Sequence, residues 1–176
     1  MSSPTQTNGF DPYYKIVFLG KQGVGKTSII RRLVASNVEA EYVPTLGIYY
    51  YNLELEYQKH NYYLQFWDIS NSLDYQIKNF LGNTAVIVLV FDFEDKKSHS
   101  YVNQLFVTIK EFNPSVKILL VGNRSKGEKE NPPKQLINLV TENNLKIYTM
   151  SPQNNSGMSL LLQAIVQDLP RPADQE

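Results

Sequence analysis

Short apolar runs alternate along this chain with stretches whose apolar residues recur every three or four positions. Tyr13–Leu19 is rich in strand formers and predicts a first strand, and Ile29, Ile30, Leu33 and Val34 predict a helix from Lys26 to about Ser36. Residues 37–47 have no period and carry Pro44, which predicts a loop. Ile48–Tyr57 and Tyr62–Asp68 read as two strands of a hairpin, joined through Gln58-Lys59-His60-Asn61. Residues 69–82 are polar and irregular, with a helical stretch over Tyr75–Leu81. Ala85–Phe91 is apolar at every position, as in a parallel strand covered on both faces. Tyr101, Val102, Leu105, Phe106, Ile109 and Phe112 form a helical stripe that Asn113-Pro114 ends. Val116–Val121 predicts another strand, Asn131-Pro132 a helix start before Leu136, Ile137, Leu139 and Val140, and Leu145–Met150 a last strand. Leu160, Leu161, Ala164, Ile165 and Leu169 complete the pattern as a final helix. Strands alternating with helices after one early hairpin predict an α/β fold. Its sheet is six-stranded and mostly parallel, with one antiparallel edge strand and helices on both faces. A ligand belongs at the carboxyl ends of such strands.

Composition narrows this picture. A chain of 176 residues is expected to form one domain, here 13–169, between an N-terminal tail (1–12) and a short C-terminal tail (170–176). Formal net charge is zero, so no basic excess points to nucleic acid. There are no cysteines, which removes disulfides and thiolate chemistry. The longest apolar run, Ala85–Phe91, is too short to span a bilayer, and residues 1–9 do not resemble a signal peptide. A soluble protein of a reducing compartment is expected. Tyr49, Tyr50, Tyr51, Tyr57, Tyr62 and Tyr63 suit half-buried strands, with a binding role open to the exposed ones. His60 and His99 stand in no partner pattern and receive no role.

The most informative stretch is Gly20-Lys21-Gln22-Gly23-Val24-Gly25-Lys26-Thr27. It fits the phosphate loop G-x-x-x-x-G-K-[ST] in its strand–loop–helix setting, which predicts a P-loop NTPase. Glycines let the backbone wrap a phosphate, and the following helix offers free N–H groups and the positive end of its dipole. Lys26 would reach the terminal phosphates and Thr27 would coordinate magnesium. A chance match in a chain of this length arises roughly once in 200.

Further candidates fall at carboxyl ends of predicted strands: Asp68 after Trp67, Asn123-Arg124 after Val121-Gly122, and Ser151 after Met150. Thr45 lies in the loop before the hairpin. With these residues the chain resembles the Ras-superfamily small GTPases, and the Rab branch most closely. The resemblance runs from about Tyr13 to Leu169. Tyr42-Val43-Pro44-Thr45-Leu46-Gly47-Ile48 looks like the first switch, and Trp67-Asp68 like the opening of the W-D-T-A-G-Q-E second switch. It implies GTP or GDP as nucleotide, with Mg2+ held by Thr27, by Thr45 when a third phosphate is present, and by Asp68 through water. Phosphates would lie against Gln22, Gly23, Val24, Gly25, Lys26, Thr27 and Ser28, with Tyr42 over the last of them. Lys26, Thr45 and the position of Ser72 would serve hydrolysis.

The departures are as informative as the matches. Asn71 replaces the family glycine that senses the third phosphate, and Ser72 the glutamine that orients water. The segment up to Gly82 is roughly three residues short, nearly one helical turn. Gln22 stands where glycine or serine is usual, and its bulk is expected to crowd the catalytic site. Slow intrinsic hydrolysis is expected. In N-K-x-D, here Asn123-Arg124-Ser125-Lys126, Lys126 replaces the carboxylate that pairs with guanine, so donor faces donor. Losing such a contact costs on the order of 1.5–3 kcal/mol. Ser151-Pro152-Gln153 replaces S-A-K, and Pro152 has no N–H to offer the base. Val38 stands in for a base-stacking aromatic. Asn123 and the stem of Arg124 remain as base contacts, so guanine preference is expected to be weakened rather than lost.

Without cysteine, and with Ser2 in place of glycine, neither prenyl nor myristoyl attachment is expected. Membrane residence would need a protein partner, and a microbial mimic in a host cytosol fits equally well. A cytosolic monomer is expected, with effectors or regulators docking through residues 37–82, plausible in vesicle traffic by family analogy alone. Asn71 also keeps open a scaffold whose switches no longer respond. A nucleotide kinase would need an arginine-bearing lid that the sequence does not show.

Overall fold

The computed structural model describes residues 13–34, 47–70, 76–123, 131–150, 156–167 and 169–171. Along them run β1 (Tyr13–Leu19), α1 (Lys26–Val34), β2 (Ile48–Tyr57), β3 (His60–Ile69), α2 (Ile77–Phe80) and β4 (Val86–Asp92). Then follow α3 (Lys96–Phe112), β5 (Lys117–Asn123), α4 (Lys134–Glu142), β6 (Ile147–Met150) and α5 (Met158–Val166). The strands form one six-stranded sheet in the order β2-β3-β1-β4-β5-β6. All pairings are parallel except β2 with β3, so the predicted mixed sheet with its antiparallel edge strand is present. β1 sits between β3 and β4. The chain therefore works outward on one side of β1 and then crosses to the other, which opens a crevice at the carboxyl ends of β1 and β4.

Alternation along the central strands sends their side chains to two cores. Ile16 and Phe18 of β1, with Val86, Val88 and Val90 of β4, pack against α1 and α5. Val17 and Leu19, with Ile87, Leu89 and Phe91, pack against α2, α3 and α4. Every residue from Val86 to Phe91 is buried, as an apolar run without alternation requires. Each such side chain contributes roughly 1.5–3 kcal/mol by leaving water. The helices answer with one apolar face each. Ile29, Ile30, Leu33 and Val34 bury that face of α1, while Arg32 stays exposed.

Several boundaries differ from the sequence expectation. The hairpin turn is Gln58-Lys59 alone, because Tyr57 already pairs with His60. Both turn residues have positive φ (52° and 66°), the backbone that a two-residue turn needs to follow the strand twist. Neither is the asparagine or glycine that usually signals such a turn. Helix α3 starts at Lys96, more than one turn before the apolar stripe. Its polar start is held by Asp95 as N-cap and by Ser98, whose Oγ accepts from Asp92 N (3.0 Å) and donates to Asp95 O (2.6 Å). His99 is buried, with Nε2 donating to Asp92 O (2.7 Å) and its ring edge-on to Phe91, so it closes the β4–α3 corner. Helix α2 covers only Ile77–Phe80 of the expected Tyr75–Leu81, β6 starts at Ile147, and α4 begins after Pro133. Residues 35–36, 1–12 and 172–176 lie outside the described residues.

The turn makes a direct prediction. Replacing Gln58-Lys59 with Asn-Gly suits the positive φ at both positions and should raise unfolding stability by roughly 0.5–1 kcal/mol. Urea unfolding of Q58N/K59G against the parent checks it.

Candidate functional site

The loop after β1 is shaped by two close approaches. Gly20 (φ +152°) passes Val90 so tightly that a Cβ would fall 2.1 Å from its carbonyl oxygen. Gly25 (φ +93°) does the same against Asn123, where a Cβ would lie 2.3 Å from Nδ2. Only glycine permits both the dihedral and the contact. The loop thereby lies across the ends of β4 and β5. Asn123 fastens it there, donating from Nδ2 to Val24 O at 2.9 Å. Its Oδ1 is buried without a hydrogen bond among the described residues. Buried acceptors ordinarily have a donor, which marks this edge of the loop as a place for a ligand.

Lys26 opens α1 and is nearly buried, with 8% of its surface exposed. Its ammonium donates to Gly20 O (2.6 Å) and Lys21 O (3.3 Å), so the charge is cradled by the loop's own carbonyls. The first hydrogen bond along the helix runs from Ile29 N to Gly25 O (3.0 Å). The N–H groups ahead of it have no acceptor within the helix and present the positive end of its dipole. Ser28 sits exposed on that first turn.

Asp68 reaches the loop because β3 pairs with β1, Phe18 lying opposite Asp68. Its carboxylate is 1% exposed and accepts a hydrogen bond from Thr27 Oγ1 at 2.5 Å. A buried carboxylate is costly unless compensated. A hydroxyl and a carboxylate side by side, next to the loop, are the hard oxygen donors that suit Mg2+ with phosphate and water as its other ligands. The residues present fit that ion.

Of the predicted site, the structure brings together Lys26, Thr27, Asp68 and Asn123 with the loop residues Gln22, Gly23, Val24 and Gly25. Gln22 is exposed and borders a cleft toward α3. Val38, Tyr42, Thr45, Asn71, Ser72, Arg124, Lys126, Ser151 and Pro152 lie outside the described residues.

Sequence reasoning missed one functional contact. Lys21 Nζ of the loop is 2.9 Å from Asp95 Oδ2, tying the phosphate loop to the start of α3. The signal was an aspartate followed by Lys-Lys-Ser before an apolar stripe, an N-cap that the late helix start concealed. The hydrogen bond from Lys21 holds the Asp95 carboxyl below its ordinary value. Desolvation opposes it, while the backbone N–H of Lys97, the charge of Lys21 and the backbone N–H of Ser98 add to it.

Comparison with known proteins places these features. A family model described as Ras family matches residues 15–171. Ras-related protein RabV of Dictyostelium discoideum is 33% identical over 115 residues, which cover 63% of this chain and 49% of that protein. EF-hand calcium-binding domain-containing protein 4B of Homo sapiens is 33% identical over 146 residues, covering 80% of this chain and 20% of its own length. Ras-related protein Rab-13 of Rattus norvegicus is 24% identical over 165 residues, with 91% and 81% covered. The chain thus spans about half of the first relative and a fifth of the second.

The Lys21–Asp95 pair predicts a pH effect whose sign follows from the lowered carboxyl. Stability from Asp95 is fully present above the unfolded carboxyl value, about pH 4, and is lost as pH falls through the lower folded value. Thermal unfolding from pH 6 to pH 3 should fall less steeply for Asp95→Asn than for the parent. The difference should be small because the pair is partly exposed.

Proposed function

The chain belongs to the Ras family of small GTPases and is Rab-like, and from that premise we propose that it is an atypical switch. In this reading it holds GTP or GDP chiefly by phosphates and Mg2+, hydrolyses slowly and discriminates guanine weakly. The observation that carries the proposal is the convergence of Lys26, Thr27, Asp68 and Asn123 on one glycine-shaped loop at the carboxyl end of β1. Lys26 would leave the loop carbonyls for the terminal phosphates, and the α1 N–H groups would hold the phosphate nearest the helix. Thr27 and Asp68 would hold Mg2+, joined by Thr45 in the triphosphate state; the ion would neutralise phosphate charge. Asn123 would keep the loop in register with the base.

The weak half of the site rests on residue chemistry. Ser72 is too short to orient water as glutamine does, and Asn71 adds a side chain where the family's glycine has none. Lys126 and Pro152 remove an acceptor and a donor from the base. Gln22 adds a side chain beside the phosphates.

Partner docking through residues 37–82 is supported by an aromatic surface on β2 and β3. Tyr50, 54% exposed, stands edge-on to Trp67 at 4.8 Å, and Lys15 Nζ lies 3.7 Å from the centre of the Trp67 ring. Exposed aromatics backed by a rigid strand pair are what protein interfaces favour. Action in the cytosol, with membrane recruitment through a partner and a role in vesicle traffic, rests on the likeness to Rab proteins. Asn71 favours one second reading, a scaffold with unresponsive switches. Equal hydrogen exchange over residues 37–47 and 69–82 in GDP and GTP-analogue states would favour that reading.

Three measurements test the proposal. Binding of a fluorescent GDP, followed also by the single tryptophan, Trp67, should require Mg2+ and weaken about 10- to 100-fold in Lys26→Ala. Single-turnover GTP hydrolysis should run below about 10⁻⁴ s⁻¹, and a Ras-like rate or faster overturns the slow-hydrolysis reading. Side-by-side titration with GDP, XDP and ADP should place GDP and XDP within about two decades of each other. A steeper guanine preference overturns the weakened-specificity reading.

A further inference from the structure

An open cleft of about 770 Å³ separates the phosphate loop from the first turns of α3, within the usual range for ligand sites. Lys21, Lys96 and Lys97 supply its cations, and Gln22, Gln104 and Gln135 most of its neutral polar lining. No carboxylate lines it among the described residues. Asp95 compensates Lys21, at 2.9 Å, whereas the ammonium groups of Lys96 and Lys97 are exposed and form no ion pair among the described residues.

The placement of those two lysines is unfavourable for the helix. They occupy the first turn of α3, where the dipole favours anions, and that turn contains no acidic residue. The N-cap carboxylate of Asp95 pairs with Lys21, and the exposed Glu94 precedes it outside the helix. Lysines set against the helix dipole, lining a cleft with no carboxylate among its described residues, mark a site that an outside anion completes.

We propose that this cleft receives an acidic peptide segment of a protein partner. Carboxylates of the segment would meet Lys96 and Lys97 and offset both their mutual repulsion and their conflict with the helix dipole. Three glutamines each carry a donor and an acceptor, which suits a peptide backbone; an inorganic anion would use donors alone. The cleft borders the loop through Lys21 and Gln22, so an occupant would touch the phosphate site from its α3 side. The inference does not require nucleotide to be bound.

The test titrates the nitrogen-15-labelled full chain with a fluorescein-tagged pentaglutamate peptide at low salt, with pentaglutamine as control. Pentaglutamate should bind by anisotropy, shift amides between Lys96 and Gln104, and release as salt is raised. K96E/K97E should weaken binding at least tenfold, and Q104E severalfold. Glutamates in the first turn suit the helix, so K96E/K97E should unfold at or above the parent temperature. Inorganic phosphate at equal ionic strength should leave the Lys96 and Lys97 amides in place. Equal binding of both peptides, shifts confined elsewhere, indifference to the charge reversals, or phosphate moving those amides as far as the peptide does would each overturn the proposal.

Discussion

Two charges buried in one corner govern this structure. The Lys26 ammonium and the Asp68 carboxylate are both withdrawn from water, and neither would be tolerated in an apolar core without compensation. The backbone supplies most of it. Carbonyls of Gly20 and Lys21 accept from the ammonium, and the Thr27 hydroxyl donates to the carboxylate. For these groups to converge, the loop must double back on itself at the end of β1 while passing close to β4 and β5. Gly20 and Gly25 permit that path, and Asn123 secures it. The sheet order follows the same need, since only a β1 flanked by β3 and β4 brings Asp68 to one side of the loop and opens the crevice on the other.

The site is uneven in a way that bears on its use. Among the described residues, Lys26, Thr27 and Asp68, which would bind phosphate and metal, are anchored in α1 and β3 and hydrogen-bonded there. The residues expected to read the base and aim water depart from the family pattern at Asn71, Ser72, Lys126 and Pro152. Charge-assisted contacts to phosphate carry more energy than one base contact, so such a site can keep its nucleotide while losing discrimination. Lys21 extends the phosphate side further, because its bond to Asp95 makes the start of α3 part of the loop's support.

Much of this was legible in the residues. Apolar runs and helical stripes are consequences of burial, and burial is what the sheet and its helices share, so the succession of strands and helices, the antiparallel edge strand and the covered faces could be anticipated. The phosphate loop was legible because few residues can replace its glycines, Lys26 or Thr27. The missed features lack such signatures. The Gln58-Lys59 turn takes positive φ without glycine, because the pairing of β2 with β3 imposes it. The first turn of α3 is polar yet helical, because Ser98 Oγ bonds to Asp92 and Asp95 and His99 Nε2 to Asp92 instead of water. The cleft beside it could not be foreseen, since it depends on the distance between two elements remote in sequence.

The central claim is that this chain is a nucleotide holder built on phosphate and magnesium contacts. Native mass spectrometry of the purified full chain, before and after chelation of divalent ions, addresses it most directly. The account predicts one nucleoside diphosphate and one Mg2+ per chain, both released on chelation and restored by Mg2+ with GDP. A chain that carries no nucleotide and whose mass is unchanged by Mg2+ and GDP would contradict it.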